Sequence, residues 1–161
     1  MAETETMVQE GQAAPTFRLP THEGTELSLE DLRGRKVVLY FFPKADTPGC
    51  TAEACAFRDL RSEFATKGAE IIGVSLDSPD AQRSFRDKYS LPFPLLADEQ
   101  ADVSKRYGVY VRKERDGREF WGIDRTTFLL DRQGVVRKVF PKVSVEGHAD
   151  ALLAALDQVD S

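Results

Sequence analysis

The chain is poor in the residues that most cofactor chemistry needs. It holds two cysteines, two histidines and one tryptophan, with no glycine-rich phosphate loop, no His-Glu-x-x-His and no paired Cys-x-x-Cys knuckles. A Cys2His2 zinc set would have to recruit His22 and His148, both far in sequence from the cysteines, so no metal is expected and no other cofactor is implied. Two cysteines are also too few for a disulfide scaffold, and 161 residues can bury a core without staples. Positive charge is in deficit: 22 Lys and Arg stand against 27 Asp and Glu, a net charge of −5 that argues against a nucleic-acid partner. Long hydrophobic runs are missing too. The longest, Val37 to Phe42, is far too short to span a bilayer, and Met1 to Gly11 is acidic and polar, without the basic and apolar regions of a signal peptide. The expectation is a cytoplasmic protein with no membrane partner. In a reducing compartment two close cysteines are more often catalytic or metal-binding than structural.

Both cysteines fall in the stretch from Pro43 to Cys55, between an apolar run and a helical pattern. Thr47 suits an N-cap, Pro48 suits the first helical position, and Phe57, Leu60 and Phe64 follow with helical spacing, which predicts a helix from here to about Lys67, stopped by Gly68. Cys50 then lies in the first turn, where unpaired N–H groups and the positive end of the helix dipole favour an anionic sulfur. Read blandly, it is a small buried apolar residue. Cys55, five residues on, would sit roughly 140° around the axis with Cα atoms about 8.7 Å apart. That exceeds the roughly 7 Å reach of a disulfide, so bonding the two sulfurs requires the first turns to unwind. The pair reads as a redox couple tied to a local order–disorder switch, while a core cysteine on the buried helix face remains open for Cys55.

The rest of the chain reads as one α/β unit. Residues 1–11 are expected to be a flexible N-terminal arm and residues 12–161 a single domain. Thr16 to Leu19 and Thr25 to Leu27 form a predicted hairpin, followed by a helical turn at Leu29 to Leu32. Lys36 to Phe42 and Glu70 to Ser75 are predicted buried strands, with helices from Ser78-Pro79 to before Pro92 and from Asp102 to Tyr107, and a short strand at Leu95-Leu96. Val109 to Gly122 reads as a polar excursion with a turn at Asp116-Gly117. Thr126 to Leu130 and Val135 to Phe140 are a hairpin, and His148 to Val159 is a closing amphipathic helix. Strands and helices in this order predict a thioredoxin-like fold: a central mixed β-sheet flanked by helices, with an N-terminal β-hairpin extension.

The motif Pro-x-x-x-Thr-x-x-Cys, filled by Pro43, Thr47 and Cys50, resembles the active-site motif of peroxiredoxins. The continuation from Asp46 through Cys50 and Cys55 to Asp59 is similar to the Q-type subfamily, also called bacterioferritin comigratory protein. Arg125-Thr126-Thr127-Phe128 resembles the segment carrying that family's active-site arginine, and the resemblance runs from about Gln9 to Asp157. It implies a thiol-dependent peroxidase acting on hydrogen peroxide and organic hydroperoxides. Cys50 would become a sulfenic acid, Cys55 would resolve it as an intramolecular disulfide, and thioredoxin or a similar dithiol would recycle it. By the same resemblance Thr47 hydrogen-bonds the thiolate and peroxide, Pro43 shields the thiolate from water, and Arg125 stabilises the charge that develops as the O–O bond breaks. Their bland readings are an N-cap, a strand terminator and a solvated strand-edge cation, the last also expected of Arg132 and Arg137. Glu53 either orients Arg125 or is an exposed helix-start carboxylate. Phe42, Phe93 and Trp121 are candidates to wall the pocket, with aromatic core the default for the first two. The resemblance leans to a monomer, because both thiols lie on one helix. The basic Val111 to Arg118 stretch departs from the family pattern and leaves the pocket rim open.

Two other readings remain. A thiol–disulfide oxidoreductase without peroxidase specificity would want the missing Cys-x-x-Cys and would not need Pro43, Thr47 and Arg125. A redox-switched binding protein would use disulfide formation to unwind the helix and expose apolar surface.

Overall fold

Strand β3 (Lys36–Phe41) shows why the central apolar run is unbroken. Val37, Leu39 and Phe41 enter one apolar cluster while Val38, Tyr40 and the following Phe42 enter another, so both faces of the strand are covered and neither tolerates a polar residue. In this computed structural model, which describes residues 7–159, β3 lies at the centre of a five-stranded sheet. It pairs in parallel with β4 (Ala69–Ser75) and antiparallel with β8 (Thr126–Leu130); β5 (Leu95–Ala97) extends the β4 side and β9 (Val136–Phe140) the β8 side. The mixed sheet is the one expected of a thioredoxin-like fold. The N-terminal hairpin is present as β1 (Arg18–Pro20) and β2 (Glu26–Ser28), with a 3-10 turn at Leu29–Leu32.

On one face of the sheet pack α1 (Pro48–Asp59), α2 (Arg61–Thr66), α3 (Pro79–Tyr89) and α5 (His148–Leu156), through Ala54, Phe57, Phe64, Phe85, Leu152 and Leu156. Tyr107, just after α4 (Asp102–Arg106), packs on the other face together with Phe17, Leu29 and Leu32. Tyr40 on β3 is accommodated by Gly73, its parallel partner on β4. A Cβ at Gly73 would stand 2.9 Å from both the Tyr40 ring and a Leu95 methyl.

Four expectations need correction. The helix predicted to run to Lys67 is two helices that meet at Leu60, whose φ of −105° and ψ of 12° turn the chain so that Phe64 reaches Phe57, ring centroids 5.8 Å apart. The polar excursion is a second hairpin, β6 (Tyr110–Arg115) and β7 (Arg118–Ile123). Its turn residues Asp116 and Gly117 both have positive φ, the signature of a tight hairpin turn, but much of the ribbon is exposed and no alternation marked its strands. The arm assigned to residues 1–11 lies partly outside the described residues, and its end is packed. Val8 is buried in the core, and the Gly11 N–H donates to Val136 O at 2.7 Å. Arg137 is no plain solvated charge: its Nε donates to the buried Asp131 carboxylate at 2.8 Å, which also accepts from the N–H groups of Gln133 and Val135 in the β8–β9 turn. Among the described residues no helix is long and apolar enough to cross a membrane.

The packing of Tyr40 on Gly73 makes a direct test. Gly73→Ala should overpack the interior and cost about 1–3 kcal/mol, seen as a lower urea midpoint with unchanged slope. An unchanged midpoint would show that the Tyr40 ring is free to move aside.

Candidate active site

The loop after β3 is held from two sides before it enters α1. The Ala45 N–H donates to Asp77 Oδ2 at 2.8 Å, and the same oxygen accepts from Ser75 Oγ at the end of β4. Asp46, at φ 60°, accepts from Lys88 Nζ and Tyr89 Oη of α3, each at 3.0 Å. This double anchor places Pro43 and Thr47 beside Cys50. Thr47 does occupy the N-cap position, but its hydroxyl donates to Lys44 O at 2.7 Å rather than accepting from a helix N–H. Its carbonyl accepts the first helical bond, from Thr51 N–H at 2.8 Å.

Cys50 lies in the first turn of α1 and is 1% exposed. Arg125, immediately before β8, donates from Nη2 to Cys50 Sγ at 3.4 Å and from Nη1 to Glu53 Oε1 at 2.7 Å. Three residues separate Cys50 from Glu53, so one helix face presents both groups to a single guanidinium. Gly49 leaves the space: a Cβ there would stand 3.0 Å from Arg125 Nη2. Glu53 is 2% exposed, which removes the reading of it as an exposed carboxylate. Burial pushes its carboxyl up to about 7 against the pull of Arg125, and its Oε2 has no hydrogen-bond partner among the described residues. Burial likewise holds the His148 imidazole down to about 4; its Nε2 lies 2.9 Å from Thr127 Oγ1.

Cys50 opens into a cleft of about 380 Å³ whose walls include Pro43, Thr47, Arg125 and the β6–β7 hairpin. Trp121 lines this cleft, whereas Phe42 and Phe93 lie in the core beneath it and do not. Cys55 is partly exposed on the same α1, its thiol unbonded like that of Cys50. The five predicted site residues thus divide: Pro43, Thr47, Cys50 and Arg125 share the cleft, and Cys55 stands apart from it.

Residues 10–139 match the AhpC/TSA family. The chain belongs to it. The Bcp protein of Coxiella burnetii is 52% identical over 149 residues, covering 92% of this chain and 99% of that one. Peroxiredoxin Bcp of Bacillus subtilis is 42% identical, covering 92% and 95%. Among solved structures, peroxiredoxin Q of Xanthomonas campestris superposes with a TM-score of 0.84 at 41% identity, covering 88% of this chain and 90% of that one. This member of the AhpC/TSA family is therefore a peroxiredoxin of the Bcp or Q kind, with a thioredoxin-like fold.

Sequence reasoning found Trp121 but missed the Asp46 and Asp77 anchors, Gly49 and the other cleft-lining side chains of the hairpin, Lys113, Arg115 and Phe120. A non-glycine residue with positive φ leaves little trace in sequence, and Gly49 passes for an ordinary helix-start residue until Arg125 is placed above it.

The buried carboxyl carries a pH signature. With Glu53 at about 7 in the folded chain against an ordinary 4.5, its stability contribution is complete below 4.5 and is lost as pH rises through 7. Urea midpoints taken at about pH 5 and about pH 8 should therefore drop less in Glu53→Gln than in wild type. Equal drops would assign the pH dependence to other groups.

Proposed function

We propose that Cys50 is the peroxide-attacking thiolate of this thiol-dependent peroxidase and Cys55 its resolving thiol. Membership of the peroxiredoxins carries the activity itself, with a peroxide as substrate and a thiol reductant as partner. The observation that best supports the assignment of Cys50 is the Arg125 guanidinium on its sulfur, with Glu53 steering the other nitrogen. A fixed cation there favours the thiolate and meets the negative charge that builds on the peroxide oxygens.

In the first step the Cys50 thiolate attacks one peroxide oxygen and the O–O bond breaks. The leaving oxygen takes a proton and departs as water or an alcohol, and Cys50 is left as sulfenic acid. Pro43, which has no N–H, limits hydration of the sulfur, and the Thr47 hydroxyl is close enough to the cleft to turn towards the peroxide. In the second step the Cys55 thiolate attacks Cys50 sulfur, the S–O bond breaks and water leaves. The first turns of α1 must open for this, because five residues of helix hold the two Cα atoms about 8.7 Å apart. Thioredoxin or a similar dithiol then returns both thiols by exchange. A resolving thiol on the same helix as the nucleophile also supports action as a monomer, and cytoplasmic residence agrees with recycling by a dithiol.

One equivalent of hydrogen peroxide should remove two thiols and two mass units from wild type, and Cys55→Ser should instead gain one oxygen at Cys50. Cys50→Ser should consume no peroxide. Retained turnover in Cys50→Ser, or thioredoxin-driven cycling undiminished in Cys55→Ser, would reassign the respective thiol. For Arg125→Met we expect kcat/KM for hydrogen peroxide to fall by about 10²–10³-fold, the loss typical of a deleted transition-state donor. A fall of only a few-fold would reduce Arg125 to a structural contact.

A further inference from the structure

The two thiols of α1 stand in opposite parts of the helix field. Cys50 lies in the first turn, where free N–H groups favour an anionic sulfur. Cys55 lacks that help: it lies past the middle of α1, one turn before the end at Asp59, where the dipole turns negative and opposes a thiolate. The resolving step nevertheless needs this sulfur as an anion, because the thiolate and not the thiol is the nucleophile. A side-chain cation has to make up the difference.

Arg58 is placed to supply it. Three residues after Cys55, it is a neighbour on the helix surface, and helical side chains lean towards the N-terminus, which brings the guanidinium back over the Cys55 turn. The group is held at two points: Nη1 donates to Tyr89 O at 2.8 Å and Nε to Asp59 Oδ1 at 3.0 Å, while Nη2 has no hydrogen-bond partner among the described residues. Tyr89 is the last residue of α3, so its carbonyl is one of the end groups that no N–H of that helix takes up. Asp59 and, after it, the charge on Cys55 push the guanidinium up from its ordinary value. Other groups near Cys55 compete little. Tyr40 on β3, which feels the Cys55 charge, is pushed well above the ordinary phenol range, by burial first, and stays neutral. His148 of α5, edge to face with Phe57, is held down to about 4 and is neutral as well. Lys88 at the end of α3 is paired with Asp46 at 3.0 Å. The Asp59 carboxylate, four residues on from Cys55, does oppose the thiolate, but it is exposed and drawn to Arg58.

We propose that Arg58 is a positioning residue for the resolving step: tied to the end of α3, it holds a positive charge beside Cys55 and keeps that sulfur ready as a thiolate when the first turns of α1 open. Cys55 then attacks the Cys50 sulfenic acid, the S–S bond forms as the S–O bond breaks, and the departing hydroxide takes up a proton to leave as water. The proton that Cys55 gave up goes to solvent. This rests on the assignment of Cys55 as the resolving thiol and adds to it the group that activates it.

The test follows disulfide formation in a single turnover, by rapid quenching and thiol counting after one equivalent of hydrogen peroxide, across a range of pH. Beside it, the rate of Cys55 alkylation by iodoacetamide is measured against pH in a Cys50→Ser background. In Arg58→Met, disulfide formation at neutral pH should slow by about two- to fourfold, since an about tenfold loss of thiolate is partly offset by the greater nucleophilicity of a more basic sulfur. The gap should close near about pH 9.5, where an ordinary cysteine is mostly thiolate unaided. The alkylation profile should move to higher pH with the same substitution, and Arg58→Lys, which keeps the charge, should recover most of both effects. A slowdown that is equal at every pH and shared by Arg58→Lys would make Arg58 a structural tie and overturn the inference, as would an alkylation profile that does not move. Wild type that forms no Cys50–Cys55 disulfide would instead overturn the resolving role of Cys55, and this inference with it.

Discussion

A single guanidinium, that of Arg125, touches both the sulfur of Cys50 and the carboxylate of Glu53, and much of the fold is needed to put it there. Its backbone position follows from the pairing of β8 with β3, and its carbonyl accepts from the Val143 N–H at 2.9 Å, which ties the strand entrance to the segment before α5. The sulfur comes from the other direction, on a helix whose entry loop is anchored by Asp77 and Asp46. Cation and sulfur therefore arrive on elements separated by 75 residues of sequence, and the central sheet fixes their distance. Gly49 is the point of closest approach, where one methyl group would push against the guanidinium.

The same helix carries a conflict between holding and releasing. Ala54 and Phe57 are fully buried and fasten the middle of α1 to the sheet, while Arg58 Nη1 reaches across to Tyr89 O at 2.8 Å. Thr51 and Cys55, by contrast, are only partly buried, and no side-chain cap secures the N-terminus, since Thr47 spends its hydroxyl on Lys44 O. Capping side chains typically contribute about 1 kcal/mol, so leaving this end uncapped lowers the cost of opening it. The break at Leu60 separates α2 from α1, and Phe64 of α2 is fully buried in the core.

How legible this was in the sequence depended on how strongly each segment is buried. The run Lys36 to Phe42 reads as a strand covered on both faces, and the Thr47-Pro48 start of α1 was readable because helix entry is a local matter of backbone dihedrals. The β6–β7 hairpin was not readable, since a ribbon with little burial need not alternate apolar and polar residues; only its turn, which demands positive φ at Asp116 and Gly117, left a mark. The bend at Leu60 was hidden for a different reason: Phe57, Leu60 and Phe64 keep helical spacing straight through it, while α2 packs against β4, a contact between elements that local spacing does not encode. At the site, Cys50, Thr47 and Pro43 were visible as a motif, while the anchors on Asp46 and Asp77 depend on α3 and β4 arriving from elsewhere in the chain.

Glu53 brings these strands of the argument together. It lies between the two cysteines, in the segment that must open if they are to bond, and it is among the most deeply buried carboxylates of the chain. Arg125 satisfies one of its oxygens and nothing among the described residues satisfies the other, so its desolvation is only partly offset. In the proposed disulfide step the opening of α1 returns this carboxyl to water, and the burial cost that the closed helix carries is recovered. Closing the helix again after reduction requires Glu53 to re-enter the interior and to meet Arg125 there, which is also what restores the cation to the Cys50 sulfur. On that proposal the residue that pairs with the arginine makes the closed helix easier to open, and its return to Arg125 rebuilds the site for the next turnover.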